Sequence, residues 1–275
     1  MFHELTVSTP LGPARVAARH DRLVGLWFCG QKYEHPPVAD PGKPPVATAA
    51  VLAQAARWLD TYFAGRADVN LPTLGADGTP FQQQVWAGLT RIAPGATMSY
   101  ASLAAAIGKP AAVRAVAAAV GRNPLSILVP CHRVLGAGGD LTGFAGGLGR
   151  KRALLALEAG RPMPWRPVVR PHKAQYADPI EVAGGESVHF VDRADDGEYL
   201  GWKWAVASDG RGGWAPRSYF SGSDSSARAL RGYSGQELSV APGVEVLELD
   251  AHSGWLWVID RNQRCGWVPA PSLSA

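Results

Sequence analysis

Short runs of alternating apolar and polar residues open the chain and predict β-strands. The runs cover residues 4–9, 14–19 and 23–29. An apolar stripe at helical spacing then extends from Val51 to Phe63, and Gly65 ends it. The pattern therefore predicts three strands followed by one amphipathic helix.

Helical patterns dominate the next stretch. Thr79 is a good N-cap, Pro80 suits the first helical position, and Gln82 completes a capping box, so a helix is expected to begin there. Further helices are predicted at residues 99–107, 111–120 and 150–159. A helical domain is therefore expected to follow the strands.

The segment between two of these helices is Gly108-Lys109-Pro110. Two short helices joined by a glycine-containing turn predict a helix-turn-helix. The second helix is almost entirely Ala and Val, with Arg114 as its one long side chain. So little bulk lets a helix approach another surface closely, although a buried core helix has the same composition.

The C-terminal part of the chain contains an internal repeat. A proline-rich segment at 163–175 first predicts a stiff linker without regular structure. Beyond it, Gly201-Trp-x-Trp204 recurs as Gly254-Trp-x-Trp257, and Gly213-Trp-x-Pro216 recurs as Gly266-Trp-x-Pro269. Both motifs recur after 53 residues, so the spacing inside each copy is the same. The repeat predicts two small β-barrels.

Length and composition narrow the class of protein. The chain has 275 residues, 47% of them hydrophobic, and a domain averages roughly 150 residues, so about two domains are expected. No apolar run approaches the roughly 20 residues of a membrane span, and the N-terminus lacks the pattern of a signal peptide. Cys29, Cys131 and Cys265 match no zinc or disulfide spacing. We therefore expect a cytoplasmic protein with reduced thiols, no metal and no membrane association.

Charge is unevenly divided along the chain, although the net charge is only +4. Residues 1–170 contain 18 basic and 9 acidic side chains, whereas residues 171–275 contain 9 basic and 14 acidic ones. A basic domain favours polyanions, of which nucleic acid is the foremost. The alternative explanation is that the excess of basic residues in 1–170 serves only solubility.

The motif that carries chemistry is Pro130-Cys-His-Arg-Val134, which places Cys131 beside a candidate base, His132. The reactive form of a thiol is its thiolate, so a neighbour that takes up or stabilises the proton activates the cysteine. Taken alone, the pair also fits a small buried cysteine beside a structural histidine.

Several further motifs surround this cysteine in a fixed order. They are Phe81-Gln-x-x-Val-Trp86, Ser99-Tyr100, Arg114-Ala-Val116, Gly121-Arg-Asn-Pro124, Leu141-Thr-Gly-Phe-Ala-Gly-Gly147, and Lys151-Arg before Leu154-Leu-x-Leu-Glu158. In order and spacing they resemble the O6-alkylguanine-DNA alkyltransferase family over residues 1 to about 165. The resemblance implies an α/β N-terminal domain at 1–75, with a three-stranded antiparallel sheet plus a helix. It also implies a helical, winged helix-turn-helix catalytic domain at 79–162.

The resemblance also implies catalytic roles. Cys131 resembles the thiol that accepts the alkyl group, His132 the base that deprotonates it through a water, and Glu158 the carboxylate that orients this histidine. Asn123 resembles the residue that braces the active-site turn. Tyr100 resembles the tyrosine that helps rotate the nucleotide and protonates the departing guanine. Tyr100, His132 and Glu158 also have plainer explanations, as a core aromatic, a structural histidine and a solvent-facing glutamate respectively.

DNA contacts follow from the same resemblance. Arg114 resembles the arginine that fills the gap left by a flipped base, with Ala115, Ser99 and Tyr100 also on the DNA side. The substrate pocket is expected to consist of Val134, Phe144, Ala145 and Gly146. The small side chain at position 145 predicts tolerance of groups larger than methyl. Arg133 and residues 150–152 are expected to be solvated or to face phosphates.

The implied function is direct reversal of DNA damage. The partner is double-stranded DNA with O6-alkylguanine, extending to O4-alkylthymine. We expect no cofactor and a monomer, and because the thioether product is not readily reversed, each molecule reacts once. A lesion-binding sensor and a thiol hydrolase are the rival functions. The presence of Cys131 argues against the first, and the lack of an oxyanion motif argues against the second.

The tail departs from this family, whose usual chain ends near residue 165. Segments 176–221 and 226–274 resemble Src-homology-3 barrels, which bind proline-rich segments in an aromatic groove. The candidate grooves are Trp202, Pro216 and Tyr219 in the first barrel, and Tyr233, Trp255 and Pro269 in the second. Arg231 and Leu273 replace further tyrosines in the second barrel, and the aromatics also fit two small cores.

Three roles for the tail remain open. The first is recruitment of a partner protein or proline-rich peptide. The second is docking on this chain's own prolines at 161–171. The third is action as an acidic spacer that weakens or orients DNA binding.

Overall fold

A computed structural model describes residues 2–35, 42–66, 71–193 and 200–274. The chain forms two compact units. One consists of Met1–Cys29 and Pro37–Met163, and the other of Gly30–Pro36 and Pro164–Ala275. Within the described ranges, no helix has the length and apolar character needed to cross a bilayer.

The first unit begins with the predicted three-stranded antiparallel sheet. Its strands are β1 (His3–Val7), β2 (Ala14–Arg19) and β3 (Arg22–Phe28), in the order β1-β2-β3. Helix α1 (Val46–Phe63) packs on the sheet through Leu59 and its neighbours. The central strand is buried from Ala14 to Ala18 rather than alternating, because both of its faces are covered. The predicted sheet-and-helix architecture is confirmed.

The predicted helical domain follows. It consists of α2 (Pro80–Leu89), β4 (Met98–Ser99), α3 (Tyr100–Ala106), α4 (Val113–Gly121), β5 (Val134–Leu135) and α5 (Leu148–Glu158). The capping box at Thr79 and Gln82 is present at the start of α2. Helices α3 and α4 form the helix-turn-helix, and Trp86 Nε1 donates a hydrogen bond of 2.9 Å to Ala119 O, which fixes α2 against α4.

The second unit is built from short strands in its described residues. They are β6 (Arg166–Pro167), β7 (Glu181–Val182), β8 (Ser187–Val191), β9 (Trp202–Ala207), β10 (Gly212–Pro216), β11 (Phe220–Ser223), β12 (Ser226–Ala229), β13 (Tyr233–Ser234), β14 (Glu245–His252), β15 (Trp255–Asp260) and β16 (Cys265–Pro269). One sheet has the order β10-β9-β8-β12-β11, a second has the order β16-β15-β14-β6, and β13 pairs with β7.

Two predicted boundaries in this unit are wrong. Strand β12, assigned to the barrel at 226–274, joins β11 through a two-residue loop and also pairs with β8. A tight hairpin cannot be divided between two domains. The segment at 163–175, predicted to lack regular structure, contributes β6 to the second sheet. Its Pro167 is tolerated because β6 is an edge strand, where a missing N–H costs no ladder bond.

The internal repeat is visible in the structure. Strands β9 and β15 begin 53 residues apart, and β10 and β16 show the same offset. Gly201 and Gly254 both have positive φ, at 82° and 84°. Each glycine carbonyl accepts a 2.8 Å hydrogen bond, from the N–H of Arg217 and of Ala270 respectively. The two copies therefore share backbone conformation as well as sequence.

Candidate active site

The loop that carries Cys131 is anchored on the N-terminal sheet. In β3, Leu26 N–H donates to Pro124 O over 2.8 Å, and Leu26 O accepts from Ser126 N–H over 2.9 Å. These two bonds extend the edge of the sheet onto residues 124–126. The N-terminal domain therefore fixes the start of the cysteine loop.

Two γ-turns follow and bring the chain to Cys131. The first is closed by Leu128 N–H on Ser126 O at 2.8 Å and places Ile127 at a φ of 69°. A β-branched residue is strained in that region, at a cost of about 1–3 kcal/mol. The second is closed by Cys131 N–H on Val129 O at 2.8 Å, around Pro130 with φ −80° and ψ 63°. This is the relaxed form of the turn, and proline's fixed φ suits it.

A short parallel pairing brings Tyr100 toward the cysteine. Strand β5 directly follows the 3₁₀ turn at Cys131–Arg133, and it pairs with β4, so that Met98 lies opposite Val134. Tyr100 begins α3 immediately after β4, and its hydroxyl donates to Gly143 O over 3.2 Å. Burial and the neighbouring charge of Cys131 raise the pKa of Tyr100, so its phenol stays protonated as a donor.

Asn123 links the end of α4 to the cysteine turn. Its Nδ2 donates to Cys131 Sγ over 3.1 Å and to Val129 O over 2.7 Å. Its Oδ1 accepts from Leu125 N–H over 3.0 Å. The side chain is 4% exposed, so these bonds form away from water and hold the sulfur at a fixed position.

The carboxylate of Glu158, at the end of α5, is the most heavily hydrogen-bonded group of the site. Oε1 accepts from His132 Nε2 at 2.8 Å, Tyr62 OH at 2.8 Å and Arg133 Nη2 at 2.7 Å. Oε2 accepts from Arg133 Nε at 2.7 Å and Gly95 N at 3.3 Å. The side chain is 2% exposed, and the bidentate guanidinium supplies its counter-charge.

These contacts decide how the pair of Glu158 and His132 ionises. Burial alone would raise the pKa of Glu158, but hydrogen bonds from His132 and Arg133 outweigh it and hold the pKa well below its usual range. Burial lowers the pKa of His132, against the opposing effect of Glu158. The imidazole is therefore neutral near pH 7. With Nε2 held by Glu158, its Nδ1 is buried and meets no hydrogen-bonding group of the described residues. A buried acceptor of this kind suits a proton relay.

Burial also controls the thiol. Cys131 is 5% exposed, and burial raises the pKa of its thiol, while the Asn123 hydrogen bond and the charge of Lys151 act against that rise. Lys151 is fully buried, and its Nζ donates to Thr142 O over 2.7 Å. Burial lowers the pKa of Lys151 to about 8, so most of its charge is present at neutral pH. The resting site combines a protonated thiol with groups that favour the thiolate once it forms.

The predicted substrate-pocket residues lie close to this centre. Val134 is fully buried, and the ring of Phe144 meets the His132 ring edge-on at 6.4 Å. Ala145 is half-buried. Gly146 is required as glycine, because a Cβ there would lie 2.7 Å from the Phe144 ring. Its carbonyl accepts a 2.8 Å hydrogen bond from Arg150, which fixes the loop.

The predicted DNA-facing residues sit apart from this buried cluster. Arg114 and Ala115 are exposed in the first turn of α4, whose opposite face packs inward through Val116. Ser99 caps α3, its Oγ accepting from Ser102 N–H over 3.0 Å. Among the described residues, no hydrogen bond joins Arg114 to the cysteine turn.

Some charged residues are not where the sequence predicted them. Arg133, Arg150 and Lys151 were expected in solvent or on phosphates, yet their exposed fractions are 7%, 2% and 0%. Each is buried because it neutralises or caps groups of the fold: Glu158, the Gly146 carbonyl and the Thr142 carbonyl. Tyr62 was assigned to an apolar stripe, and its bond to Glu158 spans 96 positions, a separation that no local pattern could indicate.

In the second unit, three of the predicted groove residues, Trp202, Tyr233 and Trp255, line the same cavity. One cavity of about 30 Å³, the aromatic pocket, is lined by Tyr176, Trp202, Trp214, Tyr233, Trp255 and Trp267. Pro216 and Pro269 lie opposite Trp202 and Trp255 in their strand ladders. Tyr219 instead donates to Asp250 over 3.1 Å. The aromatic side chains thus serve both the core and a cavity.

Comparison with known proteins agrees with the geometry of the first unit. Residues 80–160 match the DNA binding domain of 6-O-methylguanine DNA methyltransferase, and residues 2–74 match its ribonuclease-like domain. A methylated-DNA–protein-cysteine methyltransferase of Mycobacterium bovis is 43% identical over 164 residues, covering 58% of this chain and 94% of that protein. A protein of the same name from Methanosarcina barkeri is 39% identical over 158 residues, covering 58% of this chain and 97% of the relative.

A solved structure agrees as well. Mycobacterium tuberculosis OGT, crystallised in complex with DNA, superposes with a TM-score of 0.51 at 41% identity, covering 58% of this chain and 94% of that one. The chain belongs to the 6-O-methylguanine DNA methyltransferase family. Its activity is accordingly that of a methylated-DNA–protein-cysteine methyltransferase, which repairs DNA by alkyl transfer. Both family matches end by residue 160, so neither covers the part of the second unit at Pro164–Ala275.

We predict that Glu158 holds the first unit together. Glu158→Gln leaves the buried Arg133 guanidinium without a counter-charge and should lower the free energy of unfolding by about 3–5 kcal/mol. Tyr62→Phe removes one of several donors and should cost about 1.5–3 kcal/mol. Urea unfolding, followed by the circular dichroism of the helices, measures both. Thr61→Ala, on the same helix, is the control and should change the value by less than about 0.5 kcal/mol.

The contribution of Glu158 to the free energy of unfolding should depend on pH. Because the folded pKa of Glu158 lies below its unfolded value, its stabilisation is complete above about pH 4.3 and is lost as the pH falls further. The difference between wild type and Glu158→Gln should therefore shrink below about pH 4. A difference that stayed constant with pH would show that the carboxylate charge is not what stabilises the fold.

Proposed function

We propose that the protein repairs O6-alkylguanine in double-stranded DNA by a single irreversible transfer of the alkyl group to Cys131. The observation that carries this proposal is the arrangement around the thiol: Asn123 on the sulfur, and a neutral His132 held by Glu158 with its Nδ1 free of protein partners. Cys131 is the nucleophile, His132 the base and Glu158 the group that orients the base. One water is proposed to relay the proton from the thiol to His132.

The proposed transfer begins with deprotonation of the Cys131 thiol. The Cys131 proton passes through a water to His132 Nδ1, and the sulfur attacks the alkyl carbon. The new S–C bond forms as the C–O6 bond breaks, and the guanine leaves with the electron pair. Tyr100 then donates its proton to the departing base. Its raised pKa, caused first by burial, keeps that proton in place until the base becomes more basic.

Base flipping is the proposed means of access. An alkylated O6 cannot be attacked in line while the base is stacked, so the nucleotide must leave the duplex. The exposed face of α4 and of the turn before it supports this proposal, because Ala111, Ala115 and Ala118 leave little bulk between this face and a minor groove. Arg114 projects from the same exposed turn, where its guanidinium can fill the vacated stack. Ser99 and Tyr100 are proposed to face the DNA beside it.

We further propose that the pocket formed by Val134, Phe144, Ala145 and Gly146 accepts O4-alkylthymine and alkyl groups larger than methyl. The small side chain at 145 supports this breadth, because it is half-buried beside Phe144 and takes little space. The aromatic ring offers a flat wall for a base, and the glycine brings backbone close to it.

For the second unit we propose two Src-homology-3-like barrels that recruit a partner. Support comes from the backbone repeat at an offset of 53 residues and from the aromatic pocket within it. Docking of the chain's own prolines and an acidic spacer are the alternatives. We propose a cytoplasmic monomer, in keeping with three cysteines that form no disulfide.

Alkylation of Cys131 is the decisive prediction. Incubation with DNA containing O6-methylguanine should add the mass of one methylene, about 14 Da from elementary chemistry, to the peptide that contains Cys131, once per molecule. Mass spectrometry reads both the site and the stoichiometry. Cys131→Ser is the control and should bind the DNA without modification. Modification of Cys29 or Cys265 instead, or regeneration of the thiol, would contradict the proposal.

Base flipping is tested by comparing two substrates. Arg114→Ala should slow repair of duplex DNA at least about tenfold, because unstacking costs a few kcal/mol, and should leave the reaction with free O6-benzylguanine unchanged. Arg91→Ala, which removes an exposed positive charge after α2, is the matched control. Equal losses on both substrates would place Arg114 in the chemistry rather than in flipping. No reaction of wild type with O6-benzylguanine would refute the broad pocket.

The rate should depend on pH through His132. Because burial lowers the pKa of the imidazole, the acid limb of the single-turnover rate should lie below about pH 6.5, the ordinary histidine value. Above that limb His132 is neutral and accepts the proton; below it the rate falls as the imidazole becomes charged. Rates measured between pH 5 and 8, with DNA binding followed in parallel, locate the limb. A limb above the ordinary value would contradict a neutral buried base.

Truncation tests the role of the tail. A chain ending after Met163 leaves β6 out and keeps the first unit complete. If the tail recruits a partner, the truncated chain should repair a duplex oligonucleotide at the wild-type rate and bind it with unchanged affinity. Faster repair would indicate docking on the chain's own prolines. Tighter DNA binding at low salt only would indicate an acidic spacer.

A further inference from the structure

The aromatic pocket is built by both copies of the internal repeat. Trp202 and Trp255 occupy equivalent positions, as do Trp214 and Trp267, and all four line the cavity. Their rings are in contact, with centroids 6.3 Å apart for Trp202 and Trp255 and 5.1 Å apart for Trp202 and Trp267. Equivalent tryptophans of the two copies therefore converge on this cavity.

The pocket has a buried floor and a partly exposed rim. Trp202, Tyr233 and Trp267 are 6%, 6% and 4% exposed, so they form the floor. Tyr176, Trp214 and Trp255 are half-buried, so they form the rim through which a group can enter. The cavity volume of about 30 Å³ suits a group the size of one or two waters, such as the end of a side chain.

One wall of the pocket carries a negative charge. Glu237 lines the cavity, and its side chain is 10% exposed. Its Oε2 is held by His172 Nε2 at 2.9 Å and by Gln175 N–H at 3.1 Å, and no donor among the described residues reaches Oε1. Its backbone is fixed by a bridge to Trp267. Of the described residues that line the cavity, only Glu237 has a carboxylate.

Aromatic ring faces and a carboxylate both attract a cation. Ring faces carry the negative part of the aromatic quadrupole, and an ammonium group over several of them is stabilised further by a nearby anion. The tail as a whole is acidic, with 14 acidic and 9 basic residues in 171–275. A guanidinium is larger and planar, whereas the cavity is small. Charge and size together favour a single ammonium group.

We infer that the aromatic pocket binds the terminal ammonium of a lysine side chain from a basic partner protein. The aliphatic stem of the lysine passes between the rim residues Tyr176, Trp214 and Trp255, and the ammonium faces Glu237 Oε1 over the floor rings. This assignment rests on the proposed recruiting role of the tail and is independent of alkyl transfer. It replaces a proline-rich ligand with a cationic one.

The test uses the full-length chain and n-butylammonium chloride as a mimic of the lysine side chain. Indole N–H resonances in a two-dimensional NMR titration should shift for Trp202, Trp214, Trp255 and Trp267, with affinity on the order of millimolar for so small a ligand. Trp58 and Trp86 in the first unit should not move. The uncharged analogue 1-butanol should bind at least about tenfold more weakly. Equal binding of the alcohol, or no shift with the cation, would overturn the assignment.

Variants locate the charge. Glu237→Gln keeps an acceptor for His172 and Gln175 and should weaken n-butylammonium binding about tenfold. Glu245→Gln, in an exposed pair with Arg261, is the matched control and should bind as wild type does. Tighter binding of ethylguanidinium than of n-butylammonium would contradict a lysine ligand. If a decaproline peptide shifts the same indoles and the cation does not, the recruiting role survives and the lysine assignment fails.

The repair assay keeps the two proposals apart. Glu237→Gln should methylate Cys131 at the wild-type rate, because the carboxylate belongs to the second unit. A chain that repairs DNA and shows no ammonium binding therefore refutes only the lysine pocket. A chain that binds n-butylammonium and leaves Cys131 unmodified refutes only the proposed repair step.

Discussion

The buried carboxylate of Glu158 is the constraint on which the rest of the catalytic unit depends. An anion 2% exposed is tolerated only when donors surround it, and here they come from separate parts of the chain. Tyr62 approaches from α1, the N–H of Gly95 from the loop after α2, and His132 and Arg133 from the cysteine turn. None of these elements can move away without removing a hydrogen-bond donor from the buried carboxylate. The N-terminal sheet domain thus takes part in holding the active-site turn.

The same burial acts in opposite directions on the two reacting groups. It raises the pKa of the Cys131 thiol and lowers that of the His132 imidazole, so the resting pair is uncharged. A protonated thiol is inert toward most electrophiles and oxidants, since the thiolate is the reactive form. Under the proposed single transfer to Cys131, the cysteine gains from remaining inert until its substrate is in place. Asn123 and Lys151 then lower the cost of forming the thiolate, which burial alone would make prohibitive.

Much of the first unit could be predicted from local patterns. Alternation gave the strands, the box at Thr79 and Gln82 gave the start of α2, and the Cys131-His132 pair marked the site. What escaped prediction was non-local. Arg133 and Lys151 were predicted to face solvent or phosphate, although each is buried against a partner on another segment, Glu158 and Thr142 respectively. Strands β6 and β12 were misassigned because short strands are defined by their pairing partners rather than by their own composition.

The internal repeat brings equivalent aromatic residues of the tail to the aromatic pocket. Equivalent tryptophans from both copies meet, as identical surfaces do in a symmetric dimer, so a duplicated unit creates its site at the junction of its copies. Symmetry alone would place a carboxylate on both sides, where two buried anions would repel each other. Of the described residues that line the cavity, only Glu237 has a carboxylate, so that repulsion does not arise. The Glu237 carboxylate therefore places negative charge on one side of the aromatic pocket. A bound ammonium group would be oriented toward that side.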